Sequence, residues 1–148
     1  MIELLTVSSR AVCYLGTDRV IKYGCPESAN SGGQNRVEAS TWERIKDSPY
    51  ASYVAPVLEA APDGSWLIQK RIDGRTSGHR DGKTLETLLD IADSIGIDTL
   101  DIGGDNVMIQ HDGTPIIIDY GYDRYFYEDG EEAGVCGTCT YCTQYRYS

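Results

Sequence analysis

The stretch Thr99–Tyr122, T-L-D-I-G-G-D-N-V-M-I-Q-H-D-G-T-P-I-I-I-D-Y-G-Y, decides how this chain is expected to fold. Two apolar runs, Val107–Ile109 and Ile116–Ile118, flank a turn with an Asp-Gly pair, which is typical of a hairpin. The hairpin carries Asn106 at its entrance and Asp119 at its exit. Because the two ends of an antiparallel ribbon lie side by side, an amide and a carboxylate are predicted to meet there. Divalent metals such as Mg²⁺ prefer such oxygen ligands.

The composition excludes several classes of protein. The chain has 148 residues, enough for one domain or two small lobes around a modest core. It carries 13 Lys and Arg against 23 Asp and Glu, and the net charge of −10 argues against a nucleic-acid binder and is compatible with a basic protein partner. No run approaches the roughly 18 apolar residues of a membrane span and no signal peptide is recognisable, so we expect a cytoplasmic protein without a membrane partner.

Residues 1–73 are predicted to form a five-stranded antiparallel lobe with one inserted helix, an α+β arrangement. Short β-rich runs between turn residues predict the strands, and apolar residues at helical offsets predict the helix. The predicted strands are Glu3–Val7, Ala11–Leu15, Arg19–Tyr23, Tyr53–Ala60 and Ser65–Ile72, and the helix is Gln34–Lys46.

Three further parts follow this lobe. Residues 74–83 are polar and glycine-rich and are predicted to be a linker. Residues 84–122 hold a strongly periodic helix, Thr84–Ile95, and then the hairpin. Residues 123–148 are rich in Tyr and Cys with almost no aliphatic side chains, so we expect this tail not to form a large core of its own.

Two charged residues fall within the predicted lobe. Lys22 lies on an apolar strand, where a lysine either points to solvent or needs an anion. Glu38 is expected on or beside the buried face of the helix, because Trp42 and Ile45 follow it at offsets of four and seven. The same helix also carries Glu43, and these apolar neighbours favour Glu38.

Taken in order, these motifs give the chain a family resemblance. Lys22 lies in R-V-I-K and Glu38 in a helix. Asp101 and Asn106 lie in D-I-G-G-D-N-V-M-I, and Asp119 lies in I-I-I-D-Y-G. With these residues in this order, residues 1 to 122 resemble the protein-kinase-like family. The chain is most similar to the small early Ser/Thr protein kinases of short-tailed bacteriophages. The resemblance implies a minimal kinase-like fold, with a five-stranded N-lobe plus one helix and a truncated C-lobe.

The resemblance also implies a site for ATP and Mg²⁺. Lys22 would contact the α and β phosphates, Glu38 would hold Lys22, and Asp101 would orient the substrate hydroxyl. Asn106 and Asp119 would bind Mg²⁺. The other expected nucleotide contacts, over the phosphates and against adenine at the strand end, are Ser8, Ser9, Arg10, Gln69 and Ile72.

Several positions depart from the kinase pattern. No G-x-G-x-x-G precedes Lys22, Gly103 stands where Ser/Thr kinases usually carry lysine, and Leu100 replaces the usual arginine. Only 27 residues follow Gly121, so the helical region that normally docks a peptide is not expected. A homodimer partner would complete the lobe, or another surface would bind the substrate.

The tail contains the motif Cys136-x-x-Cys139-x-x-Cys142. Three thiols at this spacing suit Zn²⁺, but zinc usually takes four ligands. The fourth would come from another subunit or from Cys13, Cys25, His79 or His111. A flexible tail with reduced thiols is the simpler interpretation.

The leading prediction from the sequence is an ATP- and Mg²⁺-dependent Ser/Thr protein kinase that acts on host proteins during infection. Two alternatives stay open. One is a pseudokinase-type binding module whose acidic surface blocks a host factor. The other is a small-molecule phosphotransferase, such as those acting on aminoglycosides or choline, which share the core motifs.

Overall fold

A computed structural model describes residues 3–7, 10–98, 102–121 and 136–146. The predicted site residues Ser8, Ser9 and Asp101 lie outside these ranges. Two α-helices are described, α1 (Ser31–Ile45) and α2 (Gly82–Ile95). The strands are β1 (Glu3–Val7), β2 (Ala11–Leu15), β3 (Arg19–Tyr23), β4 (Val57–Ala60), β5 (Trp66–Lys70), β6 (Arg75–Thr76), β7 (Val107–Ile109) and β8 (Pro115–Ile117).

The first five strands form one antiparallel sheet in the order β1-β2-β3-β5-β4. Strand β3 is central, and in its register Lys22 lies opposite Val12 of β2 and Leu67 of β5. Helix α1 follows β3 in the chain and packs on this sheet. The predicted α+β fold with a five-stranded antiparallel sheet and an inserted helix is therefore confirmed.

Several element boundaries differ from those expected from the sequence. The strand predicted over Tyr53–Ala60 is shorter, because Pro49–Tyr53 form a 3₁₀ helix that the Ser48 side chain caps. The stretch predicted as a linker also contains regular structure. Arg75 in β6 pairs with Ile109 in β7, and α2 already begins at Gly82.

The second sheet has the order β6-β7-β8 and contains the predicted hairpin. It is joined to the first lobe where Val54 bridges Ile117 and the Ala55 amide donates to the Ile117 carbonyl at 2.9 Å. The main apolar core lies between this hairpin, α2 and the end of α1. Its buried residues are Ile45, Val54, Leu88, Ala92, Ile95, Ile97, Val107, Ile109, Ile117 and Tyr120.

Helix α2 has the three-and-four apolar spacing that buries Leu88, Ala92 and Ile95 against this core. It ends at Gly96, whose φ of 78° lies in the left-handed region that glycine adopts readily. Among the described residues, neither helix is long and apolar enough to cross a membrane.

Candidate active site

The buried face of α1 is mostly polar. Its buried side chains include Gln34, Asn35, Glu38 and Thr41, which recur at helical spacing, whereas Glu43 is exposed. A helix that packs on a core normally presents an apolar stripe. Here the helix instead presents hydrogen-bonding groups toward the sheet, so charged partners must compensate for the loss of water.

Lys22 is the first of these partners. Its ammonium donates to Glu38 Oε1 at 2.5 Å and to the Ile118 carbonyl at 2.7 Å, and the side chain is only 4% exposed. Burial lowers the pKa of Lys22 below its ordinary value, although the Glu38 carboxylate opposes this shift. The strand lysine of the sequence motif is therefore a buried, paired cation rather than an edge residue.

Arg10 is the second partner, and it lies just before β2. Its Nη2 atom is 2.8 Å from Glu38 Oε2 and 2.5 Å from Asp119 Oδ1, and its Nη1 donates to Asn35 Oδ1 at 2.9 Å. The side chain is only 2% exposed. The sequence placed Arg10 over the phosphates of ATP, and the structure places its guanidinium against the carboxylate predicted to bind Mg²⁺.

Asp119 and Asn106 lie at the same end of the hairpin. The Ile118 amide, one residue before Asp119, donates to the Asn106 carbonyl at 2.8 Å. The Asp119 side chain is 33% exposed, so solvent and ligands reach it. Burial raises the pKa of the Asp119 carboxyl, but the charges of Arg10 and Lys22 outweigh burial and the pKa lies below its ordinary value.

The four charged groups form one balanced network of two cations and two carboxylates. Glu38 is fully buried and contacts both cations, whereas Asp119 contacts Arg10 at the more exposed end. Buried ion pairs of this kind are weak evidence for stability, because apolar side chains of similar size are often as stable or more so. A network with shifted pKa values beside an accessible carboxylate is typical of a functional site.

Asn35 holds the network and was not identified from the sequence, whereas Gln69 and Ile72 were expected there as nucleotide contacts. The Asn35 amide donates to the carbonyls of Lys22 at 3.0 Å and Gly64 at 2.9 Å. Gln69 donates to Glu38 Oε1 at 2.9 Å, so its side chain supports the carboxylate. Ile72 is half-buried two residues after β5. Only the three-dimensional contacts distinguish Asn35 from an ordinary polar helix residue.

The glycine of the D-Y-G motif has a steric role. A Cβ atom on Gly121 would lie 2.3 Å from the Gln34 carbonyl oxygen and 2.8 Å from Glu38 Oε2. The preceding Tyr120 is buried, and its hydroxyl donates to the Ala55 carbonyl at 2.7 Å. Glycine therefore lets the chain after Asp119 approach α1 closely, while the tyrosine fixes it to the core.

The donor set at the hairpin fits a magnesium ion in chemical type. One carboxylate and one amide, from Asp119 and Asn106, are the hard oxygen ligands that Mg²⁺ takes together with phosphate oxygens and water. Arg10 already bonds one Asp119 oxygen, so a metal would either share the Asp119 carboxylate with Arg10 or displace the Arg10 guanidinium. The tail cysteines Cys136, Cys139 and Cys142 are not part of this site; they lie beside Cys25.

Comparisons with known proteins establish the fold alone. No family model matches the sequence, and no curated protein matches it. Solved structures do match, among them the crystal structure of monomeric WbdD, at 20% sequence identity and a TM-score of 0.52. The match covers 82% of this chain and 35% of that chain, so the chain spans about a third of the WbdD chain's length. The shared feature is the mixed α+β architecture.

Proposed function

We propose that this chain is an ATP- and Mg²⁺-dependent phosphotransferase that phosphorylates Ser or Thr hydroxyls of proteins. The observation that carries the proposal is the buried Lys22–Glu38 pair, 2.5 Å long, whose lysine also bonds the residue before Asp119. This pair brings a fixed cation next to an accessible carboxylate. Phosphoryl transfer needs little more from a protein than such positioning and charge neutralisation.

Each residue of the site has a role in the proposed reaction. Lys22 binds the α and β phosphates, and Glu38 keeps its ammonium in place. Asn106 and Asp119 hold Mg²⁺, which neutralises charge on the phosphates when it is bound. By its resemblance to kinases, Asp101 orients the substrate hydroxyl, whose oxygen attacks the γ-phosphorus. The bond from the γ-phosphorus to the β–γ bridging oxygen breaks, ADP leaves, and the hydroxyl proton passes to Asp101 and then to water.

The proposed protein substrate is basic. The net charge of −10 attracts cationic surfaces at long range and disfavours nucleic acid. The resemblance to early kinases of short-tailed phages supports host proteins as the substrate class.

The test is transfer of labelled γ-phosphate from ATP to a panel of basic host proteins, alongside the free chain as an autophosphorylation control. Asp119→Asn and Lys22→Met are expected to reduce labelling by at least about 100-fold, a typical loss for a metal ligand or transition-state contact. Asp112→Asn and Lys83→Met change exposed residues of the same types and are expected to retain it. Equal labelling by Asp119→Asn and Asp112→Asn would refute the proposal.

A second candidate follows from Arg10. Its guanidinium bonds Asp119, the carboxylate proposed to hold Mg²⁺, and this favours a module that binds nucleotide without transferring phosphate. Such a module would be stabilised by ATP equally with Mg²⁺ and with EDTA, since ligand bound only to the native state raises the unfolding midpoint. The phosphotransferase requires a larger rise with Mg²⁺, so the two thermal shifts distinguish the candidates.

A further inference from the structure

Four of the five cysteines converge at one place in the fold. The Sγ atoms of Cys25, Cys136, Cys139 and Cys142 all lie within 4.8 Å of one another, and none of the five cysteines, all of which the structure describes, forms a disulfide. Cys25 comes two residues after β3, whereas the other three lie in residues 136–146, which we call the C-terminal segment. The sequence left the fourth ligand open among several residues, and the fold selects Cys25.

The spacing of the sulfurs matches a single tetrahedral metal ion. Zinc–thiolate bonds of about 2.3 Å place the sulfurs of a tetrahedron about 3.8 Å apart. Cys136 Sγ and Cys142 Sγ are 4.0 Å apart, too far for a disulfide, whose sulfurs are about 2.05 Å apart. Four thiolates in a tetrahedral arrangement select zinc or iron over hard cations such as Mg²⁺. An iron–sulfur cluster has several metal ions between its ligands and needs sulfurs farther apart than these.

Backbone amides surround the sulfurs in the way that supports metal ligands. The Cys139 amide donates to Cys136 Sγ at 3.3 Å, and the Cys142 amide donates to Cys139 Sγ at 3.4 Å. The Cys136 amide donates to Cys25 Sγ at 3.3 Å. Such bonds orient ligands and stabilise negative charge on sulfur. They also show that the C-x-x-C-x-x-C turns are already folded around a common centre.

We propose that Cys25, Cys136, Cys139 and Cys142 bind one structural Zn²⁺ ion that fastens the C-terminal segment to the five-stranded sheet. The segment covers the face of the sheet opposite to Lys22. There Tyr145 stacks on Tyr23 with ring centroids 5.6 Å apart. Its hydroxyl is 3.4 Å from Cys13 Sγ. This site is independent of the proposed phosphotransfer, and its test does not use activity.

The site has a structural consequence for α1. Cys25 lies in the turn that joins β3 to α1, and its amide donates to Ser31 Oγ at 2.8 Å at the start of the helix. A Cβ atom on Gly32 would lie 2.0 Å from the Cys25 carbonyl oxygen, so helix and turn are in close contact. Zinc at Cys25 therefore fixes the start of the helix that carries Glu38.

The experiment measures metal content and ligand chemistry on the full chain. The chain is purified under reducing conditions, and its metal content is measured by inductively coupled plasma mass spectrometry. We expect about one zinc per molecule. Co²⁺ in place of zinc is expected to give thiolate charge-transfer bands and the visible bands of a tetrahedral site. Cys139→Ser and Cys142→Ser are expected to lose most of the zinc. The matched control Cys13→Ser, which removes the buried cysteine outside the cluster, is expected to keep it.

Cys139→His keeps a zinc-binding side chain and is expected to keep the metal with a shifted Co²⁺ spectrum. If the serine variants fail to fold, the Co²⁺ spectrum of the unaltered chain still decides the matter. Zinc below about a tenth of an equivalent in that chain, or iron in place of zinc, overturns the proposal. A mass showing disulfides among the four cysteines also overturns it.

Discussion

Replacing Glu38 by glutamine tests whether the charge network is one coupled unit. The fully buried carboxylate accepts from Lys22 and Gln69 and pairs with Arg10, and glutamine keeps its volume and one oxygen. Removing one partner of a buried ion pair typically costs about 3–5 kcal/mol. Because glutamine still accepts one bond, we expect the lower end, about 3 kcal/mol. A chain of this size loses roughly 2–4 °C per kcal/mol, so the midpoint should fall by about 6–12 °C.

The assay is thermal unfolding followed by circular dichroism at neutral pH, with Glu43→Gln as control. Glu43 is exposed and pairs with Lys46 at 2.8 Å on the helix surface, so its change should cost less than about 1 kcal/mol. Lys22→Met and the double variant Lys22→Met/Glu38→Gln complete a cycle. In the double variant Arg10 and Asp119 still balance, so its destabilisation should be at least about 1 kcal/mol smaller than the two single effects combined. Additive effects, or a Glu38→Gln midpoint equal to that of the control, would refute the coupled network.

Three further changes test other parts of the description. Gly121→Ala should displace α1 or the D-Y-G segment, because its Cβ would meet Gln34 and Glu38, and we expect loss of ATP-induced stabilisation in a thermal-shift assay. Gly96→Ala places a Cβ at a φ of 78° and should cost about 1–2 kcal/mol in denaturant unfolding, whereas Gly82→Ala, at a φ of −51° with nothing near its Cβ, should cost nothing. The Arg75 guanidinium lowers the pKa of Asp81 to about 2 through two 2.9 Å bonds, so the stability from this pair is present above pH 3.8 and is lost as the pH falls toward 2. Carbon-detected NMR titration should show the Asp81 pKa returning toward 3.8 in Arg75→Ala but not in Arg80→Ala; an unchanged value in Arg75→Ala contradicts the assignment.

Local pattern was sufficient for most of the secondary structure. The ranges of β1, β2 and β3 agree with those expected from β-rich runs between turns, and the hairpin lies where the Asp-Gly pair predicted it. The strand predicted to begin at Tyr53 begins later in the structure. Ser48 caps and Pro49 starts a 3₁₀ helix that includes Tyr53, so this residue is not extended. Helix α1 begins at Ser31, earlier than predicted, because the glycines of its first turn have low helix propensity and did not indicate a helix. In the structure a glycine is needed in this turn for the close contact with the Cys25 turn.

The site was predictable only as far as residue type and spacing reach. The contact of Lys22 with Glu38 was expected from the resemblance to kinases, and the structure brings the two together. The position of Arg10 does not follow, because its partner Asp119 is 109 residues away and several cations could have met that carboxylate. The sequence could not identify Cys25 as the residue beside the three tail cysteines for the same reason, because it is far from them along the chain. Asp101 lies outside the described residues, so its role as the residue that orients the hydroxyl stays a prediction.

The charge network also constrains the order in which the chain folds. Arg10 meets Asp119 across 109 residues and Lys22 meets the Ile118 carbonyl across 96, whereas Lys22 and Glu38 are only 16 apart. Strands β1 to β3 pair locally and can assemble as soon as they leave the ribosome. Helix α1 can dock on them through Arg10 and Lys22, but one buried carboxylate then faces two cations, and this charge imbalance lasts until the hairpin supplies Asp119. Docking of α1 is therefore expected to be a late step, slower than formation of either sheet, and a nascent chain that stops short of the hairpin would hold its future site open to water.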